Sequence, residues 1–238
     1  EAERGQVYER FKGRANDIMT GIIQRMENKN VYIDLGKIEA VLTPNEQIPG
    51  EIYQYHERMK TYIVEVKRTT KGPQIMVSRT HPGLLKRLFE LEVPEIHDGV
   101  VEIKSVAREP GMRSKFSVYN ADSNVDPVGA CVGHKGMRVQ TIVNELRGEK
   151  IDIVKYSEDP AQYVANALSP AKVVKTAVNE ADKICRVIVP DYQLSLAIGK
   201  EGQNARLAAK LTGWKIDIKS ETQAAEEAAT EPAPVEEA

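Results

Sequence analysis

The chain has 238 residues, enough for two or more small domains, and a net charge of −2. Six acidic residues and no basic ones fall in 221–238, so residues 1–220 hold 33 Lys and Arg against 29 Asp and Glu, a net +4. No apolar run reaches the length of a membrane span, which excludes a membrane-spanning helix, and the sequence shows no secretory signal. Cys131 and Cys185 lie far apart without metal-ligand spacing, so we expect reduced core cysteines in a cytoplasmic protein.

Residues 1–15 are rich in charge and carry Val7, Tyr8 and Phe11 at helical spacing. This pattern predicts a linker helix that leads in from a missing N-terminal domain. A frayed N-terminal arm is an equal alternative.

Residues 16–82 show the two-residue alternation of half-buried strands. Val31, Ile33 and Leu35 lie on one face of such a strand, and Tyr62 is assigned to the core side of another. Glycine and proline pairs separate the runs. Five short strands in this length predict a small five-stranded OB-type barrel, an architecture that often binds nucleic acid.

Residues 83–158 and 159–220 show the same predicted order of helix, strand, strand, helix, helix and strand. In the second copy, Asp191 is predicted to cap the short helix that precedes the loop. The whole chain is therefore predicted to be an α+β multidomain protein, with a β-barrel followed by two αββααβ (type II) units.

Between the last two helices of each copy lies a Gly-x-x-Gly loop, Gly133-His134-Lys135-Gly136 in the first and Gly199-Lys200-Glu201-Gly202 in the second. Glycine lacks a Cβ, so a sugar-phosphate backbone can approach the loop closely. Amides at the start of the following helix favour an anion. KH domains grip single-stranded nucleic acid with such a loop. A plain turn between helices is the alternative, which the repeat disfavours.

The candidate RNA-binding residues are the two loops and the polar side chains in the helical turn after each. Arg138 and Arg206 are assigned to phosphates or bases, with an idle, solvent-facing Arg138 as the alternative. The side-chain amides of Gln140, Gln203 and Asn204 are assigned to base edges. Glu201 is expected either to accept a hydrogen bond from a base or to weaken the second loop. The set comprises Gly133, His134, Lys135, Gly136, Arg138, Gln140, Gly199, Lys200, Glu201, Gly202, Gln203, Asn204 and Arg206.

The barrel offers further candidates for base stacking or phosphate contact, since single-strand binders use aromatic platforms. They are Tyr32, Tyr53, Tyr55, His56 and Arg68. Trp214 is assigned to the core of the second αββααβ unit.

Enzymatic function is disfavoured. Neither loop continues as the Gly-Lys-Ser/Thr of a nucleotide-binding P-loop. The four histidines, at 56, 81, 97 and 134, have no metal-ligand spacing. We therefore expect no catalytic residue, no metal and no cofactor.

The segment 221–238 is rich in Ala, Glu, Pro and Thr and is predicted to be a disordered acidic tail. A solvating role is favoured over competition with RNA for the basic part of the chain.

Several strings in residues 1–220 resemble the NusA family of bacterial transcription factors. They are 126–133 (DPVGACVG), 149–153 (EKIDI), 164–170 (VANALSP), 189–199 (VPDYQLSLAIG) and 202–206 (GQNAR). The resemblance implies an S1 domain at 16–82, a first KH domain at 83–158 and a second at 159–220. It also implies binding to nascent single-stranded RNA, to RNA polymerase and to other transcription factors, and effects on pausing, termination and antitermination.

Two alternative functions stay open at this point. The chain could be the RNA-capture module of an RNA-degrading enzyme, although the order of its domains argues against this. It could also be a protein-interaction scaffold in the transcription complex. A monomer without membrane attachment is expected in each case.

Overall fold

The computed structural model describes residues 2–231, which divide into two compact units. The first unit comprises residues 2–102, 108–114 and 120–151. The second comprises residues 103–107, 115–119 and 152–231.

A closed five-stranded barrel forms the first half of the first unit, which confirms the predicted architecture. Its strands follow the order β1-β2-β3-β5-β4 and are antiparallel except for the parallel pair β3 and β5. The strands are β1 (Ile18–Glu27), β2 (Asn30–Asp34), β3 (Glu39–Leu42), β4 (Arg58–Thr69) and β5 (Gly72–Ser78).

A register shift in β4, between Ile63 and Glu65, changes which side chains face the barrel interior. Ile63 is fully buried, whereas Val64 is 39% exposed. Tyr62 is buried as predicted, whereas Val64, two residues later in the strand, turns outward because of this irregularity.

A helix, α1 (Ala2–Lys12), precedes the barrel, as predicted. Phe11 is 3% exposed and packs into the barrel core with residues such as Ile75 and Val77. Burial of this one aromatic ring anchors an otherwise charged helix.

The first αββααβ unit has the predicted element order with one additional short helix. Its sheet has β7 in the centre. Asp126 caps the helix before the loop by accepting a hydrogen bond from the Val128 amide (3.2 Å). The elements are α2 (Pro82–Glu92), α3 (Pro94–His97), β6 (Val101–Glu109), β7 (Arg113–Asn120), α4 (Pro127–Val132), α5 (Met137–Glu145) and β8 (Lys150–Lys155).

A buried carboxylate holds the start of β8. Glu149 has no exposed surface and accepts hydrogen bonds from the Arg108 guanidinium (3.0 Å), the Gly111 amide (2.7 Å) and the Ser114 hydroxyl (2.8 Å). Arg108 also donates to the carbonyl of His81, just before α2 (3.0 Å). One ion pair therefore joins β6, β7, β8 and the entry to α2.

A second buried arginine fixes the end of α5 against the barrel. The Arg79 guanidinium makes two hydrogen bonds to the Glu51 carboxylate (3.0 and 2.9 Å) and donates to the carbonyls of Lys60 and Glu145. The Lys60 amide in turn donates to the Glu145 carboxylate (3.0 Å). Because α5 begins directly after the first loop, these bonds also restrain that loop relative to the barrel.

The second αββααβ unit repeats the order. Its sheet places β10 between β9, which is antiparallel to it, and β11, which is parallel. The core cluster includes Val164, Leu207 and Leu211, and Trp214 packs against it as predicted. The elements are α6 (Pro160–Ala167), β9 (Lys175–Asn179), β10 (Ile184–Val189), α7 (Leu194–Ile198), α8 (Gln203–Thr212) and β11 (Lys215–Ser220).

The first part of the acidic segment is a helix, α9 (Glu221–Thr230), so the prediction of disorder is wrong for these residues. Ser220 and Gln223 form a capping box, in which each side chain accepts a hydrogen bond from the other's backbone amide (3.2 and 3.0 Å). Residues 232–238 of the predicted tail lie outside the described residues.

Asp191 does not cap the short helix as predicted. Its carboxylate instead accepts hydrogen bonds from the hydroxyl and the amide of Thr222 in α9. These bonds lower the pKa of the Asp191 carboxyl.

Both cysteines are buried, as predicted. Burial raises the pKa of the Cys131 thiol to about 12, so it stays protonated at neutral pH.

Candidate nucleic-acid interface

The two Gly-x-x-Gly loops have the same backbone conformation to within a few degrees. The first glycines, Gly133 and Gly199, have φ/ψ of 76°/174° and 79°/169°. The third residues, Lys135 and Glu201, have φ/ψ of 53°/27° and 55°/26°, in the left-handed region. Non-glycine residues at positive φ store strain and cluster at ligand clamps. Two loops of different sequence thus share one unusual geometry.

The first glycine of each loop is required by packing inside the protein. A Cβ on Gly133 would lie 2.6 Å from Cγ of Arg138, and one on Gly199 would lie 2.8 Å from Cβ of Asn204. Both glycines also occupy a backbone region that is essentially restricted to glycine.

The second glycine of each loop faces open space. A Cβ on Gly136 or Gly202 would have no neighbour within 4 Å among the described residues. Their φ of 74° is left-handed, a conformation that Asn and Asp also tolerate. This side of the loop is therefore accessible to a ligand.

The two glycines predict different costs of substitution. Gly133→Ala is expected to destabilise the first αββααβ unit by about 1–3 kcal/mol, because strain and the contact with Arg138 both oppose it. Gly136→Asn is expected to cost less than about 1 kcal/mol, since the backbone is tolerated and the space is open. Hydrogen exchange of α4 and α5 measures both effects, and equal loss of protection in the two variants would contradict this account.

Arg138 is engaged within the protein rather than idle. Its guanidinium donates to the Ala130 carbonyl at the end of α4 (2.7 Å) and to the Glu95 carboxylate in α3 (2.9 Å), and 31% of its side chain is exposed. The side chain therefore fixes the angle between α4 and α5 around the loop. Glu95 was not singled out from the sequence, because its partner lies 43 positions away.

Asn204, at the equivalent position of the second copy, is completely buried. Its side-chain amide donates to the carbonyls of Ala197 (2.9 Å) and Leu168 (3.0 Å). The expectation that Asn204 contacts base edges is therefore wrong, since a residue with no exposed surface positions the loop instead. Arg138 and Asn204 thus serve the same purpose with different chemistry.

Two other candidates make hydrogen bonds within the protein, and one of these bonds reaches a loop. The Gln140 side chain donates to Asn144 within α5 (2.8 Å), and Arg206 donates to the Glu201 carbonyl of the second loop (3.0 Å). Both residues are exposed, whereas Gln203 is half-buried. Arg206 is therefore bonded to its own loop, and its assignment to phosphates or bases stays a prediction.

The side chains at the two loop tips are exposed, namely His134, Lys135, Lys200 and Glu201. Met137, which directly follows the first loop, is 65% exposed and was not singled out from the sequence. Its position beside the loop was the available signal. The first loop presents a cation and a histidine, whereas the second presents a cation and a carboxylate.

The barrel candidates separate by burial. Tyr53 is 8% exposed, and its hydroxyl accepts a hydrogen bond from the Ile48 amide (3.0 Å), so its assignment to base stacking is wrong. Tyr55 is 59% exposed. Arg25 lies 4.1 Å over the Tyr32 ring, and Arg68 lies 4.1 Å over the Tyr8 ring. His56 is exposed at a left-handed backbone position (φ 66°).

Family comparisons agree with this geometry. Residues 12–78 match the S1 RNA binding domain, residues 79–156 the NusA-like first KH domain and residues 160–226 the NusA-like second KH domain. The chain is therefore an S1–KH–KH protein built from RNA-binding domains, which confirms the predicted fold class.

It belongs to the NusA family. It is 71% identical over 226 residues to the transcription termination/antitermination protein NusA of Halalkalibacterium halodurans, covering 95% of this chain and 59% of that protein. The protein of the same name from Bacillus subtilis is 70% identical, with 95% and 61% covered. That of Thermus thermophilus is 48% identical, with 91% and 56% covered. The chain thus spans about three fifths of the length of these relatives, whose names describe transcription factors.

Among residues 2–231, no helix is both long and apolar enough to span a membrane. In the same residues, no group of three or more His, Cys, Asp and Glu side chains is arranged to hold a metal ion.

Proposed function

We propose that this chain binds single-stranded RNA through its two Gly-x-x-Gly loops, as the RNA-binding part of a transcription factor that modulates pausing, termination and antitermination. The observation that carries the proposal is the shared strained geometry of the two loops, each with an exposed lysine at its tip and an open second glycine. The names of the relatives supply the biological context.

Each loop is assigned one role. The backbone of Gly133 to Gly136 and of Gly199 to Gly202 lies against the sugar-phosphate chain, because open glycines permit close approach. Lys135 and Lys200 neutralise phosphates, and Arg206 supports the second loop through the Glu201 carbonyl (3.0 Å). Glu201 lowers the affinity of the second loop for phosphates relative to the first.

The remaining assignments belong to the same proposal. The domains are an S1 domain at 16–82, a first KH domain at 83–158 and a second at 159–220. The protein acts in the cytoplasm as a monomer, without cofactor and without catalysis, and its further partners are RNA polymerase and other transcription factors. The nascent transcript is its ligand.

The test is fluorescence anisotropy of a labelled, A-rich RNA of about a dozen nucleotides, enough for two clamps of about four nucleotides each. We expect binding whose log K falls with log salt at a slope of about −2 to −3.5, because about three to five phosphates are neutralised at about −0.7 each. The net charge of +4 on residues 1–220 favours this modest slope over a steeper one.

No binding of RNA, or binding that does not change with salt, would show that the loops do not act on phosphates. A pull-down of RNA polymerase that succeeds in the absence of RNA binding would favour the scaffold function instead.

A further inference from the structure

The sheet of the second KH domain has one face covered by α6 and α8 and a second, outward face that is basic. Cys185, Val187 and Val189 of β10 are buried in the core, so the alternate residues of each strand point outward. The outward residues are Lys175, Ala177 and Asn179 in β9, Ile184, Arg186 and Ile188 in β10, and Lys215, Asp217 and Lys219 in β11.

The pairing of the strands sets these side chains in rows. Ile188 lies between Lys175 and Lys219, and Arg186 lies between Ala177 and Asp217. Four cations and one carboxylate thus surround small and branched apolar side chains. This surface, the outward face of β9, β10 and β11, is here called the outer sheet face.

The acidic helix α9 lies over part of this face. Glu227 forms an ion pair with Lys219, and Thr222 donates two hydrogen bonds to Asp191. Between helix and sheet is a cavity of 220 Å³, lined from the sheet by residues including Arg186 and Ile188 and from the helix by Ala224 and Ala228, with Glu227 and Glu231.

The attachment of α9 is weak by its own composition. Every residue of α9 is exposed except Ala224, which is half-buried. Alanine side chains are too short to fill the 220 Å³ between helix and sheet, so the helix buries little apolar surface there. A helix of ten residues is also marginal in water without packing.

We propose that the outer sheet face is a docking surface for an acidic amphipathic helix of a protein partner, and that α9 is its resident competitor. The partner helix carries carboxylates toward Lys175, Arg186 and Lys219 and larger apolar side chains where α9 has Ala224 and Ala228. Such a helix keeps the charge complementarity of α9 and fills the cavity that α9 leaves.

The chemistry of the face favours a helix over RNA. None of its nine outward residues is aromatic, so bases have no stacking platform. Ile188, between Lys175 and Lys219, and Ile184, beside Lys215, instead offer apolar contacts next to the cations. Helix-in-groove recognition uses that combination. This assignment is independent of the Gly-x-x-Gly loops.

The experiment uses a fluorescein-labelled peptide of residues 220–231 with the changes Ala224→Leu and Ala228→Leu, titrated with the intact chain. We expect binding that becomes about fivefold tighter when α9 is detached by Thr222→Ala and Glu227→Ala, because the competitor is removed. Lys175→Glu with Arg186→Glu is expected to weaken binding at least about tenfold, since two attractive charges become repulsive. The control Lys210→Glu alters an exposed cation of α8, away from this face, and is expected to have no effect.

Circular dichroism of each variant checks that the substitutions leave the fold intact. A scrambled peptide of the same composition is expected not to bind. The proposal is overturned if the peptide binds no variant, if Lys210→Glu weakens it as much as Arg186→Glu, or if detaching α9 leaves its affinity unchanged. Loss of single-stranded RNA binding on Lys175→Glu with Arg186→Glu, without loss of peptide binding, assigns the face to RNA and also overturns it.

Discussion

Substituting aspartate at all four tip residues of the two loops is expected to weaken binding of single-stranded RNA at least about 100-fold, a loss of about 2.7 kcal/mol. The changes are His134→Asp, Lys135→Asp, Lys200→Asp and Glu201→Asp. They remove two lysines from exposed positions and place carboxylates where phosphates are proposed to lie. Like charges at this range repel, and the counterion release that drives binding to nucleic acid is lost.

The same variant should keep its fold. Lys135 and Glu201 have φ of 53° and 55°, and aspartate tolerates this left-handed conformation better than lysine or glutamate does. His134 and Lys200 are exposed, so their replacement disturbs no core packing. Far-UV circular dichroism and anisotropy on the same preparation separate loss of binding from loss of structure.

A matched control separates local from overall charge. Lys86→Glu with Lys210→Glu changes the charge by a similar amount on exposed faces of α2 and α8, and is expected to reduce affinity only a few-fold through the long-range field. Equal losses in the control and the loop variant would show that only net charge matters. Variants of one loop at a time then rank the two loops, and the first is expected to contribute more because the second carries Glu201.

The repeat made most of this fold predictable. Two matched Gly-x-x-Gly segments with similar flanks located both loops, both pairs of helices around them and the strand after each. The strand β10 (Ile184–Val189) is one of the strands that the repeated order of elements predicts. Local capping by Asp126 and Asp159 also follows from the sequence, since Asp-Pro at a helix start is a local signal.

Features that depend on distant partners were not predictable in this way. In the sequence, Asn204 resembles a base-reading residue next to a loop. Its burial is explained only by the structure, in which Asn204 packs closely against Gly199 and donates to the carbonyl of Leu168. The irregularity at Ile63 in β4 shifts the faces of a strand by one residue without a glycine or proline to mark it.

For the helix α9, the error was to overlook a signal that the local sequence does contain. Composition alone indicated disorder from residue 221 onward, because few large apolar residues are present. A local signal was nevertheless available, since Ser220 followed three residues later by Gln223 is a capping box. Asp191, by contrast, was assigned to its own helix because its actual partner, Thr222, lies 31 residues away.

Replacing Glu149 by alanine is expected to lower the free energy of unfolding of the first KH domain by about 3–5 kcal/mol, the usual cost of breaking a buried ion pair. The Arg108–Glu149 pair has 0% side-chain exposure on both sides, so the change leaves a guanidinium charge buried without its carboxylate. The Gly111 amide and the Ser114 hydroxyl lose an acceptor at the same time.

The second KH domain lacks this pair and has Trp214 at the equivalent position, which makes the effect specific to one domain. Hydrogen exchange is therefore the appropriate measurement, with protection expected to fall in β8 and at the start of α2 but to remain in β10. Glu149→Gln, which keeps one acceptor oxygen, should cost less than Glu149→Ala, and Glu180→Ala at an exposed turn should cost almost nothing. Equal protection of β8 in Glu149→Ala and in the unchanged chain would mean that the buried pair contributes specificity rather than stability, since the surrounding core would then hold the strand alone.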